Sequence, residues 1–152
     1  MMNVKWECKK FSELSPLELY HLLRLRSEVF VVEQNCVFQD MDNIDQECFH
    51  LMGYIENDLI AYARIVPPGR VYKEASIGRV VTSSSVRRKG VGKLLMQQAI
   101  AIIYEVFGNS DIRIGAQSYL KEFYGSFGFN QVGEVYLEDG IAHIYMLKNA
   151  ST

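Results

Sequence analysis

The segment that most restricts how this chain can fold covers residues 77–107. An apolar strand signal ends at Thr82, a polar loop with several basic residues follows, and Gly90 and Gly92 lie at the end of that loop. Apolar side chains then recur at the spacing of one helix face until Gly108 ends the pattern. An amphipathic helix that follows a strand in this way needs a sheet to cover. We therefore expect a fold that combines a sheet with packed helices.

The rest of the chain carries further strand and helix signals. Ser15, Pro16 and Glu18 have the spacing of a capped helix start, and this helix should continue to about Glu33. Its apolar stripe consists of Leu22, Leu25, Val29 and Val32. Predicted strands cover residues 3–10, 48–55, 59–66, 75–82, 112–116, 129–137 and 141–147, and predicted helices cover 16–33, 91–107 and 119–127. This order predicts a mixed sheet with packed helices, in the α+β or three-layer (α/β) class.

Length and composition favour one ordinary domain. A chain of 152 residues that is 49% hydrophobic can bury a single sizeable core, so we expect residues 1–152 to form one domain. No apolar run reaches the roughly 18–20 residues that span a bilayer, and the first residues lack the apolar core of a signal peptide. Three cysteines without a close-spaced pair suit a reducing compartment. These features predict a cytoplasmic protein that has no membrane partner and no metal site.

The charged residues are distributed unevenly along the chain. A net charge of -2, from 16 basic and 18 acidic residues, argues against a dedicated nucleic-acid-binding protein. Residues 27–63 contain eight acidic residues and no Lys or Arg, whereas residues 79–93 contain five basic residues and no acidic one. Each segment fits either a solvated surface or a ligand of opposite charge.

The basic segment lies where a helix is predicted to begin. The first turn of a helix leaves backbone N–H groups unpaired and carries partial positive charge, so it attracts phosphate oxygens. Gly90 and Gly92 let the backbone approach a ligand closely, and Arg87, Arg88 and Lys89 can add charge-assisted hydrogen bonds. The sequence therefore predicts a ligand that carries a phosphate or pyrophosphate.

Two common phosphate motifs do not fit this loop. A P-loop requires Ser or Thr after its Gly-Lys pair, whereas Gly92-Lys93 is followed by Leu94. A dinucleotide fingerprint requires a third glycine at the position of Leu95. The spacing thus argues against nucleotide hydrolysis by a P-loop and against NAD binding.

The run Arg87-Arg88-Lys89-Gly90-Val91-Gly92 resembles the acyl-CoA pyrophosphate loop of the GNAT (Gcn5-related N-acetyltransferase) superfamily. The pattern of that loop is Arg or Gln, then any two residues, then Gly, then any one residue, and finally Gly or Ala. Residues 123–129 are similar to the family's Tyr-x-x-x-Gly-Phe segment, with Tyr124 as the tyrosine. Residues 25–34, followed by Asp40-Met41-Asp42, resemble the ElaA branch of that superfamily. The resemblance implies a mixed, mostly antiparallel central sheet of about seven strands flanked by helices.

The resemblance also implies an activity. It implies an N-acetyltransferase that moves an acetyl group from the cosubstrate acetyl-CoA to an amine by direct transfer in a ternary complex, with no metal. Backbone groups of Val80 and Val81 would hold the pantetheine arm, and Tyr124 would protonate the departing thiolate. The pyrophosphate would contact Arg87, Arg88, Lys89, Gly90, Val91, Gly92 and Lys93. The structural alternative for Tyr124 is an aromatic side chain that packs the short helix.

The amine acceptor sets the requirements for the rest of the site. An amine that is protonated at neutral pH has to be attracted and then deprotonated, and carboxylates of the 27–63 segment can do both. We therefore expect a cationic acceptor, either a small molecule or a protein amine. Glu33 is the candidate catalytic carboxylate, and Arg26, Asp42 and His50 are candidate substrate contacts. His50, the one histidine of the acidic segment, is also a candidate base. The structural alternatives are a solvated carboxylate for Glu33, an ion pair of Arg26 with an acid such as Asp42, and a packed histidine for His50.

Two other classes of function stay open. An acyl-CoA-binding sensor or interaction module would use the same loop without catalysing transfer. A nucleic-acid-binding domain would use the basic cluster at residues 79–93, although no other contiguous basic stretch supports it. The sequence is compatible with a monomer or a homodimer.

Overall fold

The computed structural model describes residues 3–151, and their elements follow the predicted order. The strands are β1 (Lys5–Lys10), β2 (Phe49–Ile55), β3 (Asp58–Val66), β4 (Ser76–Thr82), β5 (Ile112–Gln117), β6 (Phe129–Glu138) and β7 (Ile141–Lys148). The α-helices are α1 (Pro16–Arg26), α2 (Val91–Phe107) and α3 (Lys121–Gly125), and a π-helix (Ser27–Glu33) continues α1. The predicted α+β class is confirmed.

The seven strands of the described residues form two antiparallel sheets instead of the single central sheet that the sequence predicts. The first sheet has the order β1-β2-β3-β4 and the second has the order β5-β7-β6. Within residues 3–151 one parallel bridge, between Ala75 and Ile112, joins them, and the Arg113 amide donates to the Ala75 carbonyl at 3.0 Å. Beyond this bridge β4 contains a bulge, and a bulge bends a strand and increases its twist. The bulge accounts for the separation of β4 from β5.

Helices cover both faces of the first sheet. Tyr62 on β3 belongs to a buried cluster with Leu22 and Leu25 of α1. The neighbouring residues Ala61 and Ala63 point to the opposite face and join the buried side chains of α2. β3 is therefore buried on both faces, and its side chains form the centre of the molecule.

The first helix begins as predicted but does not continue as an α-helix to Glu33. The Ser15 hydroxyl accepts from the Glu18 amide, and the Glu18 carboxylate accepts from the Ser15 amide, which is the predicted capping box. After Arg26 the backbone widens to π-turns, with the Gln34 amide donating to the Val29 carbonyl. A π-turn rotates the residues that follow it about the helix axis, so Val32 leaves the predicted apolar stripe and is 70% exposed.

Helix α2 has the boundaries that the sequence predicts. Gly90 precedes it with a φ of 80°, and Gly108 follows it with a φ of 85°. Both have positive φ values, which glycine adopts without steric cost. The buried face of α2 consists of Val91, Leu95, Met96, Ala99 and Ile103. The start of α2 is thereby fixed beside the end of β4.

The third predicted helix is shorter than expected. The predicted range of residues 119–127 contains the end of a 3-10 turn, Ser118–Leu120, and the single α-helical segment α3. Gly128 ends the segment with a φ of 96°, and Phe129 begins β6. The predicted final hairpin is present, because Asp139 and Gly140 both have positive φ values between β6 and β7.

Candidate functional site

A cleft of about 590 Å³ opens where β4 and β5 separate. β4 and the turn that follows it form one wall, and β5 with the tip of the β6–β7 hairpin forms the other. The π-helix and the loop after it, as far as Phe38, line a further side, and Tyr124 of α3 also lines the cleft. The cleft is thus lined by parts of both sheets, of the acidic segment 27–63 and of the basic segment 79–93.

The bulge in β4 shapes the first wall. Arg79 and Val80 together lie opposite the single residue Ala63, and Arg79 has a φ of 50°, which is uncommon for a residue with a side chain. Past the Ala75 bridge, no described strand pairs with the β4 edge that faces β5. The backbone near Val80 and Val81 is therefore available to a ligand in the cleft, as the prediction for these residues requires.

The basic loop connects this wall to the start of α2. Arg87, Arg88, Lys89 and Gly90 are exposed, and Arg88 and Gly90 have φ values of 65° and 80°. A Cβ atom built at Gly92 would lie 3.7 Å from the Phe123 ring, so space rather than backbone strain decides what fits there. The first-turn amide groups of α2, from Val91 to Lys93, stand at the end of this loop.

The structure brings Glu33 to the basic loop. The Arg87 guanidinium Nη2 donates to Glu33 Oε2 at 2.6 Å and to the Thr82 carbonyl at 3.3 Å. Glu33 and Arg87 both line the cleft. The predicted catalytic carboxylate is therefore ion-paired with a predicted pyrophosphate residue, an arrangement that their separate sequence patterns do not indicate.

Tyr124 lies in the cleft and also in the core. Its side chain is 7% exposed and packs edge-to-face against Phe123 and Phe129. Burial, assisted by the nearby Tyr119, raises the pKa of Tyr124 to about 12. The phenol consequently keeps its proton at neutral pH, which suits a proton donor.

The three predicted substrate residues lie outside the cleft lining, in a cluster of ion pairs and hydrogen bonds in which Arg26 and His50 are buried and Asp42 is partly buried. Arg26, which is 0% exposed, donates to Asp40 Oδ2 at 2.9 Å and to Asp45 Oδ1 at 2.8 Å. The expected Arg26–Asp42 pair is absent in the described residues, and Arg64 instead donates to the Asp42 carboxylate. A guanidinium with no exposed surface cannot reach an acceptor, so this geometry does not fit a substrate contact by Arg26.

His50 is also fully buried, in agreement with its structural alternative. Its Nδ1 lies 2.6 Å from the Tyr62 hydroxyl and its Nε2 lies 2.8 Å from the Asp45 carbonyl oxygen. Burial lowers the pKa of His50, so the ring stays neutral. Both ring nitrogens are engaged, and the geometry leaves no position from which His50 could deprotonate a bound amine.

Arg79 connects the buried cluster to the cleft. Its Nε donates to Asp40 Oδ1 at 2.8 Å, its Nη2 donates to the Asp40 carbonyl at 2.9 Å, and its guanidinium lies 5.7 Å from the Phe38 ring centroid. The basic segment at residues 79–93 is thus divided between two tasks. Arg79 holds the loop around Asp40, and the remaining basic residues surround the start of α2.

His143 is a cleft residue that the sequence patterns did not single out. It lies on β7, opposite Gln117 of β5, with Nδ1 2.7 Å from the Ile141 carbonyl oxygen and Nε2 3.5 Å from Glu138 Oε2. The hairpin signal at residues 138–140 is the one feature that could have indicated it, because Glu138 and His143 come close across any tight turn there. The opposite wall of the cleft cannot be identified from the sequence.

Within residues 3–151 no helix is long and apolar enough to cross a membrane. The same part of the chain contains no group of three or more His, Cys, Asp or Glu side chains arranged to hold a metal ion.

Comparison with known proteins identifies relatives along nearly the whole chain. The model of the acetyltransferase (GNAT) domain matches residues 18–150. Protein ElaA of Escherichia coli is 42% identical over 95% of this chain and 96% of its own length, and its crystal structure has a TM-score of 0.91 to this chain. An acyl-CoA N-acyltransferase from Pseudomonas aeruginosa is 42% identical, with a TM-score of 0.92 over 96% of this chain and 99% of that one.

A more distant structure has the same fold. A GNAT family acetyltransferase from Elizabethkingia anophelis, with acetyl-CoA bound, is 15% identical and has a TM-score of 0.65 over 97% of this chain and 98% of that one.

Proposed function

Because the chain belongs to the GNAT acetyltransferase family, as its resemblance to ElaA-like members predicts, we propose that it transfers an acetyl group from acetyl-CoA to an amine in a ternary complex. One observation carries the proposal. A cleft with an unpaired strand edge on one wall ends at a basic helix start, and Tyr124 lies inside it. The similarity to the acyl-CoA N-acyltransferase from Pseudomonas aeruginosa supports the same donor class.

The β4 edge suits the pantetheine arm of acetyl-CoA. That arm is an extended chain with two amide groups, and amides can hydrogen-bond to an open strand edge as an additional strand does. Val80 and Val81 line the cleft beside the bulge, and their backbone groups are the proposed partners of the two amides. The cosubstrate would then occupy the position in which β5 would have paired with β4.

The basic loop suits the pyrophosphate. Arg88, Lys89 and Lys93 are exposed, and Arg87 joins them when its pairing with Glu33 is exchanged for a phosphate oxygen. The backbone amides of Val91, Gly92 and Lys93 add donors at the positive end of α2. This arrangement provides both charge and directed N–H groups for two phosphates.

Tyr124 is the proposed proton donor to the leaving thiolate. When the amine attacks the thioester carbonyl, a C–N bond forms, the C–S bond breaks, and the sulfur needs a proton. The buried phenol retains its proton far above neutral pH, so it can supply one. A protonated amine acceptor must lose two protons in all, one before the attack and one after it.

Turnover with a panel of amines tests the transferase proposal. We expect the protein to release CoA and form the acetylated product with at least one of a diamine, an arylalkylamine, a lysine peptide and a peptide with a free N-terminus. Chromatography measures the CoA and mass spectrometry identifies the product. Acetyl-CoA binding without turnover on any amine would replace this proposal with the sensor alternative.

The same assay tests Tyr124. We expect Tyr124→Phe to lower kcat by about 100-fold or more while the Kd of acetyl-CoA stays unchanged, because the ring is kept and only the proton-donating hydroxyl group is lost. Tyr20→Phe is the matched control, since Tyr20 is 65% exposed on α1 and does not line the cleft. An undiminished kcat in Tyr124→Phe would show that the thiolate obtains its proton elsewhere.

A further inference from the structure

We infer that His143 is the general base that deprotonates the acceptor and that Glu138 receives its ammonium group. The inference rests on the proposed transfer to an amine and assigns the acceptor end of the cleft to the β6–β7 hairpin. Neither residue belongs to the sequence motifs that point to acyl-CoA. Both line the cleft, on the wall opposite β4.

The hydrogen bonds of His143 fix its tautomer. Nδ1 lies 2.7 Å from the carbonyl oxygen of Ile141, and a carbonyl oxygen only accepts. Nδ1 therefore carries the proton, and the lone pair of the neutral ring lies on Nε2. The side chain is 11% exposed, so the ring is held firmly and one edge stays open to the cleft.

The partner of Nε2 indicates what binds there. Glu138 Oε2 lies 3.5 Å from His143 Nε2, and neither a carboxylate nor the unprotonated nitrogen of a neutral ring has a proton to donate. A primary ammonium group has three N–H donors and can bond to both acceptors at once. The Glu138 side chain is 62% exposed, which places the carboxylate at the cleft mouth where a cation arrives.

The other ionisable groups around His143 do not replace Glu138. The centroid of the Tyr136 ring lies 5.8 Å from that of the His143 ring. Burial raises the pKa of Tyr136, and the neighbouring Tyr145 raises it further, so Tyr136 stays a neutral phenol. Asp139, at the hairpin tip, adds a second negative charge to the same wall.

Three other charged groups line the cleft, namely Arg79, Glu33 and Arg87, and each of them is already paired. The guanidinium of Arg79 is paired with Asp40, and the carboxylate of Glu33 is paired with Arg87. Cys36 also lines this side, and its thiol lies 3.9 Å from the Asp139 carbonyl oxygen. Glu138 is therefore the carboxylate that contacts the free lone pair of His143.

The strand register relates the base to the acid. His143 is paired with Gln117, and the next residue, Ile144, is paired with Ala116, which lines the cleft together with Tyr124. The amine would enter from the hairpin side and the acetyl group from the β4 side. Base and acid are thus supplied by different elements of the second sheet and its adjoining helix.

The protons balance in this scheme. His143 Nε2 takes one proton from the ammonium, the amine lone pair attacks the thioester carbonyl, and the C–S bond breaks as the amide forms. The thiolate takes the Tyr124 proton, and the second proton of the amine nitrogen restores the Tyr124 phenol through water. The imidazolium then returns its proton to solvent, so the products are an N-acetyl amine, CoA and one proton.

The test replaces His143 by Asn, which keeps a donor near the Nδ1 position for the Ile141 carbonyl and removes Nε2. With an amine that the wild-type protein acetylates, we expect His143→Asn to lower kcat about 100-fold at pH 7.5 and to leave the Kd of acetyl-CoA unchanged. Wild-type kcat should fall as the pH is lowered, because an imidazolium cannot accept a proton from the amine, and the variant should lack this fall.

Two further variants complete the test. Glu138→Gln should raise the KM of the amine about tenfold with a small effect on kcat, and because the side chain is exposed the substitution should not disturb folding. His21→Asn on α1 is the matched control, because Asn and His have similar helix propensities and His21 lies outside this cleft.

The outcomes separate the two proposals. Wild-type turnover together with an unchanged kcat and pH profile in His143→Asn would overturn the role of His143 and leave the transferase proposal standing. Wild-type protein that binds acetyl-CoA but acetylates no amine would overturn the transferase proposal and this inference with it.

Discussion

At the scale of single residues, the contact between Glu33 and Arg87 links the acidic and basic segments of the chain. The two side chains are 30% and 43% exposed, so their pairing contributes less than about 1 kcal/mol to the free energy of unfolding. We expect its effect on CoA binding to be larger, because the Glu33 carboxylate occupies the guanidinium that is proposed to bind the pyrophosphate. The pair is therefore a competitor of the proposed cosubstrate.

Substitution of either partner should separate these effects. We expect Arg87→Gln to weaken CoA binding about tenfold, since a charge-assisted hydrogen bond is lost, and Glu33→Gln to strengthen it several-fold, since a competing anion is removed. Calorimetry at low and high salt measures both changes, and both should shrink at high salt. Glu105→Gln on the exposed face of α2 is the control. Weaker CoA binding by Glu33→Gln would contradict the competition.

The two histidines show what could be read from the sequence at this scale. His50 lies in the acidic region and is the natural candidate for a base, yet Tyr62 and the Asp45 carbonyl engage both of its nitrogens. His143 lies outside the acidic segment, and the acidic residues next to it are those of the hairpin turn, Glu138 and Asp139. Its position in the cleft depends on the pairing of β7 with β5. Composition near a residue is local, whereas access to a cleft depends on contacts between distant strands.

At the scale of elements, the start of α2 offers the sharpest test of the pyrophosphate site. Gly90 has a φ of 80°, so any side chain there would strain the backbone. The effect of such a substitution on CoA binding could then not be separated from its effect on folding. Gly92 is free of that problem, because a Cβ atom there meets only the Phe123 ring at an ordinary 3.7 Å. Gly92 is consequently the better position for a substitution.

We expect Gly92→Glu to abolish measurable CoA binding, because the longer side chain puts a carboxylate at a phosphate site. Gly92→Ala should keep most of the affinity and raise the free energy of unfolding by up to about 1 kcal/mol, since Ala favours helix over Gly. Calorimetry with CoA and urea unfolding measure the two effects. Equal CoA affinities for Gly92→Glu and the wild-type chain would exclude this loop as the pyrophosphate site.

The elements themselves were largely predictable, and the exceptions have physical causes. Alternating and helical apolar patterns predict all seven strands of the described residues to within two residues, because these patterns record which face is buried. The π-helix at Ser27–Glu33 was missed, because a widened turn retains nearly helical apolar spacing. The bulge at Arg79 was missed as well, since its cause is the cross-strand register with Ala63 and the ion pair with Asp40.

At the scale of the whole molecule, the buried ion pairs join the segments around the cleft. Arg26 of α1, Arg64 of β3 and Arg79 of β4 all bond to the loop that carries Asp40 and Asp42. Burial alone would raise the pKa of Asp42, but the hydrogen bond and charge of Arg64 outweigh it and lower the pKa to about 2. The pKa of Asp45 is also lowered, by Arg26 and Arg64 acting against burial.

These pKa values predict a loss of stability in acid. A carboxyl group with a folded pKa below its unfolded value stabilises the fold at higher pH, and this contribution is lost as the pH falls from about 4 towards 2. For Asp42 the loss amounts to about 2–3 kcal/mol. Asp42→Asn should therefore reduce stability by a similar amount at pH 7 and flatten the decline below pH 4.

Urea unfolding at several pH values measures this difference, with Asp58→Asn at the exposed start of β3 as the control. The same acid dependence in Asp42→Asn and in the wild-type chain would show that other carboxylates govern acid unfolding.

The separation of β4 from β5 also bears on solubility. An unpaired strand edge is a template on which a strand of another molecule can pair, and such edges lead to aggregation unless something interrupts them. In this chain the edge lies within a cleft, and the positive φ of Arg79 breaks its regular repeat of donors and acceptors. A ligand with two amide groups can use the short stretch near Val80 and Val81, whereas a long, straight strand would lose its pairing at the bulge. The irregularity that shapes the proposed cosubstrate site therefore also works against pairing of this edge with a strand of another copy of the chain.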